Sequence, residues 1–186
     1  MLSMILSKEQ CASCKFCCSF RRQSLWETPL FDEAQMKAVL EKYPDVEFTE
    51  VSSFVGSGNS KGNENSNPGN AGNSKDAKKI YTVKLYDRYK TDDPNEEAAC
   101  PFLDTTKGCI LPKDLKPFDC SIWPLRAVRS GDKIKVVLTP TCSAINKNPL
   151  EELKKFVREE LKDTILKYVE SHPEIIKDDS DFFVEL

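Results

Sequence analysis

Four cysteines lie within residues 11 to 18, "CASCKFCC", and no other stretch limits the folding of this chain so sharply. Thiols packed this closely form a disulfide framework, a redox pair, or a nest of thiolates around a metal. The segment holds two overlapping CxxC units. A CxxC turn lets two sulfurs converge on one metal while nearby amides face the thiolates, and thiolates are soft ligands suited to zinc, iron and iron–sulfur clusters. On a continuous helix, Cys11, Cys14 and Cys18 would share a face at i, i+3 and i+7, with Cys17 about a quarter-turn away.

The redox compartment decides among these outcomes. The opening "MLSMILSKEQC" has no basic leader region, and its apolar run is short for a signal peptide or a membrane span. Lys8, Glu9 and Gln10 precede Cys11 where a lipoprotein cleavage site would carry small apolar residues. These features predict a cytoplasmic protein, where clustered cysteines are metal ligands or redox groups more often than disulfides. The even count of eight cysteines also fits a secreted disulfide scaffold, but 186 residues is a long chain for that class.

Four more cysteines follow far downstream: Cys100, Cys109, Cys120 and Cys142. Three of them sit in proline-punctuated contexts, "CPFLD", "GCILP" and "FDCSIWP", which hold side chains rigidly and suit ligands. Loop closure costs grow only logarithmically with length, so a metal joining Cys11, Cys14, Cys17 and Cys18 to these loops is an efficient cross-link. Eight thiolates saturate two tetrahedral zinc ions, or one cubane cluster and one further metal. An isolated cysteine is otherwise a small buried hydrophobe, a reading that suits Cys142 best.

These motifs carry a family resemblance. "CASCKFCC" resembles the CxxCxxCC signature of the YkgJ-type cysteine-cluster family, described as a zinc- or iron-chelating domain. Downstream, "CPFLD" at Cys100, "CILP" at Cys109 and "KPFDCSIWP" around Cys120 stand in the order of that family's later motifs. The resemblance runs from residue 11 to about 142, apart from a low-complexity tract. Lys116 and Ser121 stand where the family pattern has arginines, and Lys lacks the bidentate fork of Arg. Pro112 follows where an aromatic residue is common. The family is commonly labelled an iron–sulfur oxidoreductase, and a related cluster occurs in flagellin lysine-N-methylases. The resemblance therefore implies a metal centre more firmly than a reaction.

The rest of the chain predicts an α+β fold: a small cysteine-rich, metal-stapled domain with short strands and hairpins and a C-terminal amphipathic helix. Residues 1–172 form a single cysteine-cluster metal-binding domain, and residues 173–186 an acidic C-terminal tail. Residues 56–79 interrupt the domain as a flexible Asn/Gly/Ser-rich loop. Five of the seven glycines lie there, with almost no apolar side chain to offset the entropy of ordering. "DEAQMKAVLEKY" predicts a helix with Asp32 and Gln35 as a capping box, an apolar stripe of Met36, Val39, Leu40 and Tyr43, and Pro44 as its stop. "VEFTEV" and "IYTVKLY" alternate as strands and predict a long hairpin across residues 56–79. "LRAVRSGDKIKVVL" predicts a second hairpin turning at Ser130, Gly131 and Asp132. Beyond it, Asn148, Pro149 and Glu151 mark the start of a long helix with Leu150, Leu153, Val157, Leu161 and Ile165 on one face.

Charge narrows the function classes. A net charge of -3 without a block of Lys and Arg excludes a nucleic-acid stripe, and no apolar run spans a bilayer. The single histidine, His172, sits at a helix end and predicts a dipole contact rather than a ligand, which weighs against a hydrolytic zinc site. Glu27 is either a hard ligand or a capping carboxylate. Trp26 and Trp123 either shield a cluster or pack ordinarily, and Lys15, Arg21 and Arg22 either offset thiolate charge or face solvent. The leading expectation is a cytoplasmic protein holding zinc or iron through these thiolates, with a protein partner as redox or metal acceptor. The second is an iron–sulfur cluster protein acting as an oxidoreductase or electron carrier. Its second redox group would come from a partner, because no GxGxxG follows a strand. A methyltransferase-like accessory ranks last, for want of a glycine-rich loop to hold the methyl donor.

Overall fold

The computed structural model describes residues 7–51 and 78–186 and shows mixed helix and strand. The reading of the opening residues, and of residues 56–79 apart from Lys78 and Lys79, falls outside the described residues. In chain order the first elements are α1 (Lys8–Cys14), β1 (Ser19–Phe20), β2 (Phe31–Asp32), α2 (Glu33–Lys42), β3 (Phe48–Val51) and β4 (Ile80–Val83). Then come β5 (Ala98–Ala99), β6 (Leu103–Asp104), β7 (Gly108–Cys109), α3 (Phe118–Ile122), β8 (Leu125–Ser130) and β9 (Lys133–Leu138). The chain closes with α4 (Leu150–Phe156), a π-helical segment (Val157–Leu161), α5 (Lys162–Ser171), β10 (Lys177–Asp178) and β11 (Val184–Glu185).

Local chemistry explains the elements that the sequence makes legible. Asp32 accepts from the Gln35 amide at 2.8 Å while Gln35 returns a bond to the Asp32 amide at 3.3 Å, the predicted reciprocal cap. β3 and β4 pair antiparallel from Phe48↔Val83 to Val51↔Ile80, as the predicted hairpin requires. β2 adds a third strand on the other side of β4, in the order β2-β4-β3. β8 and β9 pair antiparallel with Ser130 opposite Lys133, so Gly131 and Asp132 form a two-residue turn. Gly131 takes φ +61°, the positive value that a tight hairpin turn demands at its first central residue.

The acidic tail, residues 173–186, for which the sequence decides neither docking nor fraying, pairs with the sheet. β10 pairs parallel with β8, and β11 pairs antiparallel with β9, giving the order β10-β8-β9-β11. Phe183 stacks on Trp26 at 5.7 Å between ring centroids. Val184 and Leu186 pack against the helix–sheet core, while Phe182 stays exposed.

Residues 150–171 form the predicted long helix, with two differences. Asn148 does not cap it: its Nδ2 donates to the Ala144 and Ile145 carbonyls at 3.2 and 3.1 Å, closing the preceding 3-10 turn. Pro149 occupies the N-cap position without a side-chain bond, and Leu150 is exposed. The buried stripe is Leu153, Val157, Leu161, Ile165 and Val169, at strict four-residue spacing. With 3.6 residues per turn, each such step overshoots one turn by about 40°. The π segment places an extra residue in one turn and takes up part of that drift, which keeps the stripe on the sheet.

Two hydrophobic clusters result. The first joins this stripe to the inner face of the β8–β9 hairpin, Leu125, Ala127, Val136 and Leu138, and includes Cys142. The second gathers Phe20, Phe31, Val39, Val83, Leu85 and Phe102 from the earlier elements and includes Cys100, with Cys18 and Cys109 packed against it. Each cluster therefore carries cysteines at its margin.

Candidate metal centre

The segment "CASCKFCC" is not one continuous helix. α1 stops at Cys14 because Lys15 turns to φ 55°, a left-handed conformation, and Phe16–Cys18 follow as a 3-10 turn. Side chains other than Gly resist that conformation, so the break is a defined change of direction. Cys11 and Cys14 remain on the helix, whereas Cys17 and Cys18 belong to the separate turn. Ser7 caps α1 in a capping box with Gln10. Ala12, buried on the opposite side, lies against Gly108 of β7, where an added Cβ would stand 3.5 Å away. Gly108 itself has φ +77°.

Pairing brings the downstream cysteines to this turn. β1 and β5 align Ser19 with Ala99, so Cys18 comes opposite Cys100, and the Cys100 amide donates to the Cys18 carbonyl at 2.7 Å. β6 and β7 align Leu103 with Cys109 across a turn in which Asp104 Oδ1 accepts from Thr106 and Lys107. α3, entered through Pro117, carries Cys120, and Cys142 follows β9 in the turn that leads to Ile145. Gln23 braces the loop after the turn, bonding the Val83 carbonyl and the Leu85 amide at 2.9 and 2.7 Å.

All eight cysteines are free thiols. Cys17 Sγ and Cys18 Sγ are 3.9 Å apart. A zinc ion with four sulfurs at 2.3 Å needs sulfur–sulfur edges of about 3.8 Å, so this adjacent pair has a ligating spacing. Cys18 acts most strongly on Cys17 and lies within the influence of Cys100 and Cys120. Cys120 in turn is influenced by Cys100 and Cys17. Cys11 forms the second neighbourhood, with Cys17, Cys142 and Cys14 about it. Cys109 bears on Cys100. Mutual electrostatic influence groups Cys17, Cys18, Cys100 and Cys120 as an inner four and leaves Cys11, Cys14, Cys142 and Cys109 as an outer group; of these, Cys17 and Cys18 are in direct sulfur contact. Among the described residues, no group of three or more His, Cys, Asp or Glu side chains is arranged so that it could hold a metal ion.

The electrostatics distinguish the thiols. The hydrogen bond from Cys18 holds Cys17 down to about 7, against the cost of burial, with Lys116 and Arg126 assisting. The same bond raises Cys18, and burial raises it further. Burial pushes Cys100 up to about 12. Burial, then the Asp119 carboxylate, pushes Cys120 well above the ordinary thiol value; part of the residue is accessible, but its thiol is enclosed. At Cys18, Cys100 and Cys120 the neutral thiol is therefore the favoured form until a cation offsets the thiolate charge.

The surrounding charges have the complementary sign. Asp119, Arg126 and Lys177 are all buried, which leaves two cations against one carboxylate. Burial raises Asp119 and lowers Lys177 to about 8. Lys177 Nζ donates to the Leu25 carbonyl at 2.5 Å. Zinc held by four thiolates carries two net negative charges and suits such an environment. Donor chemistry, one sulfur spacing and the charge of the surroundings therefore fit a thiolate-bound metal.

Other candidate residues have different partners. Glu27 bridges Arg22 Nε at 2.8 Å and the Arg21 amide at 2.9 Å, so it caps the loop. Arg21 pairs with Glu97 at 3.7 Å. His172 ends α5, with Nδ1 3.1 Å from the Tyr168 carbonyl and its ring stacked on Tyr168 at 3.9 Å. Lys116 and Arg126 are the cations that bear on Cys17, and sequence reasoning passed over Arg126. Its signal was an arginine between Leu125 and Ala127 near the start of a strand, two residues after "WP".

A scan against protein-family models finds no match, and searches of curated proteins and of solved structures find none either. The site's chemistry must therefore be argued from its own residues. No helix among the described residues is long and apolar enough to cross a membrane.

Proposed function

We propose that this chain is a metal-binding protein that holds zinc or iron through clustered cysteine thiolates. The reading rests on one observation: Cys17 and Cys18 from one turn, and Cys100 and Cys120 from two distant segments, act on one another beside an excess of buried positive charge. Disulfides would neutralise the thiols but leave that charge unanswered, whereas a metal–thiolate centre answers it. Cys11, Cys14, Cys109 and Cys142 complete the ligand supply for a second metal or a larger cluster. The placement of cysteines at the margins of both hydrophobic clusters favours a stapling role, in keeping with the resemblance to YkgJ-type domains. Free thiols suit a reducing compartment such as the cytoplasm. Exposed Cys11 and Cys14, beside exposed Phe16, are where a protein acceptor of metal or electrons would approach.

The test is to purify the protein without oxygen, record its visible absorption, and assay zinc, iron and acid-labile sulfide on one sample. Zinc in a colourless protein supports a structural or regulatory centre. Iron with sulfide in a brown protein supports the iron–sulfur electron carrier or oxidoreductase. Free thiols throughout, with neither metal, would sink the proposal.

A further inference from the structure

Arg126 has no place in ordinary strand packing. It is the second residue of β8, on the face opposite Leu125 and Ala127, and is 5% exposed. Its guanidinium carbon stands 4.3 Å from the ring centroid of Trp123 and 5.9 Å from that of Trp26. Its Nε is buried and has no hydrogen-bond partner among the described residues. No carboxylate there reaches it within the 4.0 Å of an ion pair. A buried cation left this way is costly, and two aromatic faces offset only part of the cost. Lys177, also buried, adds a second positive charge to its surroundings. The anionic or ionisable groups near enough to act on Arg126 are Asp119, Cys120 and Cys17.

We infer that Arg126, clasped between Trp26 and Trp123, is the counter-ion and hydrogen-bond donor of a metal–thiolate centre that includes Cys17 and Cys120. The inference rests on the reading of the cysteines as metal ligands. When these sulfurs are thiolates bound to a metal, their charge and lone pairs satisfy the guanidinium that the apolar clasp alone leaves short. Arg suits the position because its planar, weakly hydrated group stacks on both indoles, and its donors still reach outward. Arg126 is a positioning residue for the centre and no ligand itself. Such partners set both affinity and electronic character of the metal they surround.

The experiment uses the full chain, cobalt(II) alone as the probe, and the variants Arg126→Met and Arg126→Lys. Thiolate-to-cobalt absorption reports the ligand set, competition with a chelator reports affinity, and thermal unfolding of the metal-free proteins reports a purely structural role. The expected result is a loss of cobalt affinity of about 10- to 100-fold in Arg126→Met, with the absorption band shape kept. Arg126→Lys should recover most of it. Metal-free Arg126→Met should be as stable as the parent or more so, because a buried unpaired cation has gone. Affinity within twofold of the parent would overturn the inference while leaving the metal site standing. Destabilised metal-free Arg126→Met, or failure of that variant to fold while Arg126→Lys binds no better than it, would assign Arg126 a structural role instead. Absence of thiolate–cobalt absorption in the parent would overturn the metal reading and the inference together.

Discussion

The helix-on-sheet part, residues 125–186, which holds Cys142, and the part with the other seven cysteines, residues 7–122, are built at different scales. The first has two six-residue strands and a helix whose buried stripe of Leu153, Val157, Leu161, Ile165 and Val169 covers one sheet face. Its elements are long enough to bury apolar area as they form. The second is assembled from two-residue strands such as β1, β5, β6 and β7, none of which bears the stability of a sheet. Its aromatic cluster around Phe31 and Phe102 supports β3, β4 and α2, but the cysteine turns lie at the edge of that cluster. Short elements with many thiols need a cross-link where long elements with apolar stripes need none. Under the proposed reading, the first part of the chain is where a metal would serve as that cross-link.

The sharpest way to break this comparison is to remove a ligand from the inner four. Cys120→Ser should abolish most metal retention, and Cys14→Ser should lower it less because Cys14 lies in the outer group. Hydrogen exchange should rise through residues 7–51 and 98–122 while residues 150–171 stay protected. Full metal occupancy in both variants, or uniform loss of protection, would refute the division. Ile165→Ala probes the other half, where the side chain is 0% exposed. It should cost about 2–5 kcal/mol in denaturant unfolding without changing metal content per folded molecule.

Lys177 tests the join between the halves, because its strand belongs to the sheet while its Nζ holds the Leu25 carbonyl. Its value falls from 10.5 to about 8 on folding, so between these pH values the unfolded chain binds more protons. Stability attributable to this group is therefore lowest below pH 8 and rises as pH increases toward 10.5. The parent should gain on Lys177→Met over that window by up to about 3 kcal/mol. Parallel stability curves for the two proteins would contradict the buried, charged Lys177. A smaller effect is expected from Gly108→Ala. The Cβ itself meets Ala12 only at ordinary contact distance, so the cost of about 1–2 kcal/mol comes from φ +77°. Because Gly108 seats α1, metal retention should weaken with it, and unchanged retention would separate α1 from the centre. The smallest effect, about 1 kcal/mol, belongs to Asp32→Ala at the α2 cap, with metal content unaffected.

Much of the fold was legible because its signals are local. The Asp32–Gln35 box, the Gly131 turn and the β8–β9 hairpin follow from backbone periodicity and turn chemistry within a few residues. The cysteines as a set were equally legible from spacing and type. The Asn148 cap was misread because its amide donors meet the carbonyls behind it before the amides ahead. The break at Lys15 was hidden because no glycine or proline announces it; packing of α1 on Gly108 and pairing of Ser19 with Ala99 bracket the turn.

The sequence by itself determined which side chains can ligate, where the long helix and hairpins lie, and that the thiols outnumber every other soft donor. Only the tertiary structure decided that Cys18 faces Cys100, that Cys17 and Cys120 share the influence of Arg126, and that the acidic tail closes the sheet. The reason is physical: helix and strand repeats are set by nearest neighbours along the chain, whereas the charge and company of a buried sulfur depend on elements brought together from far apart.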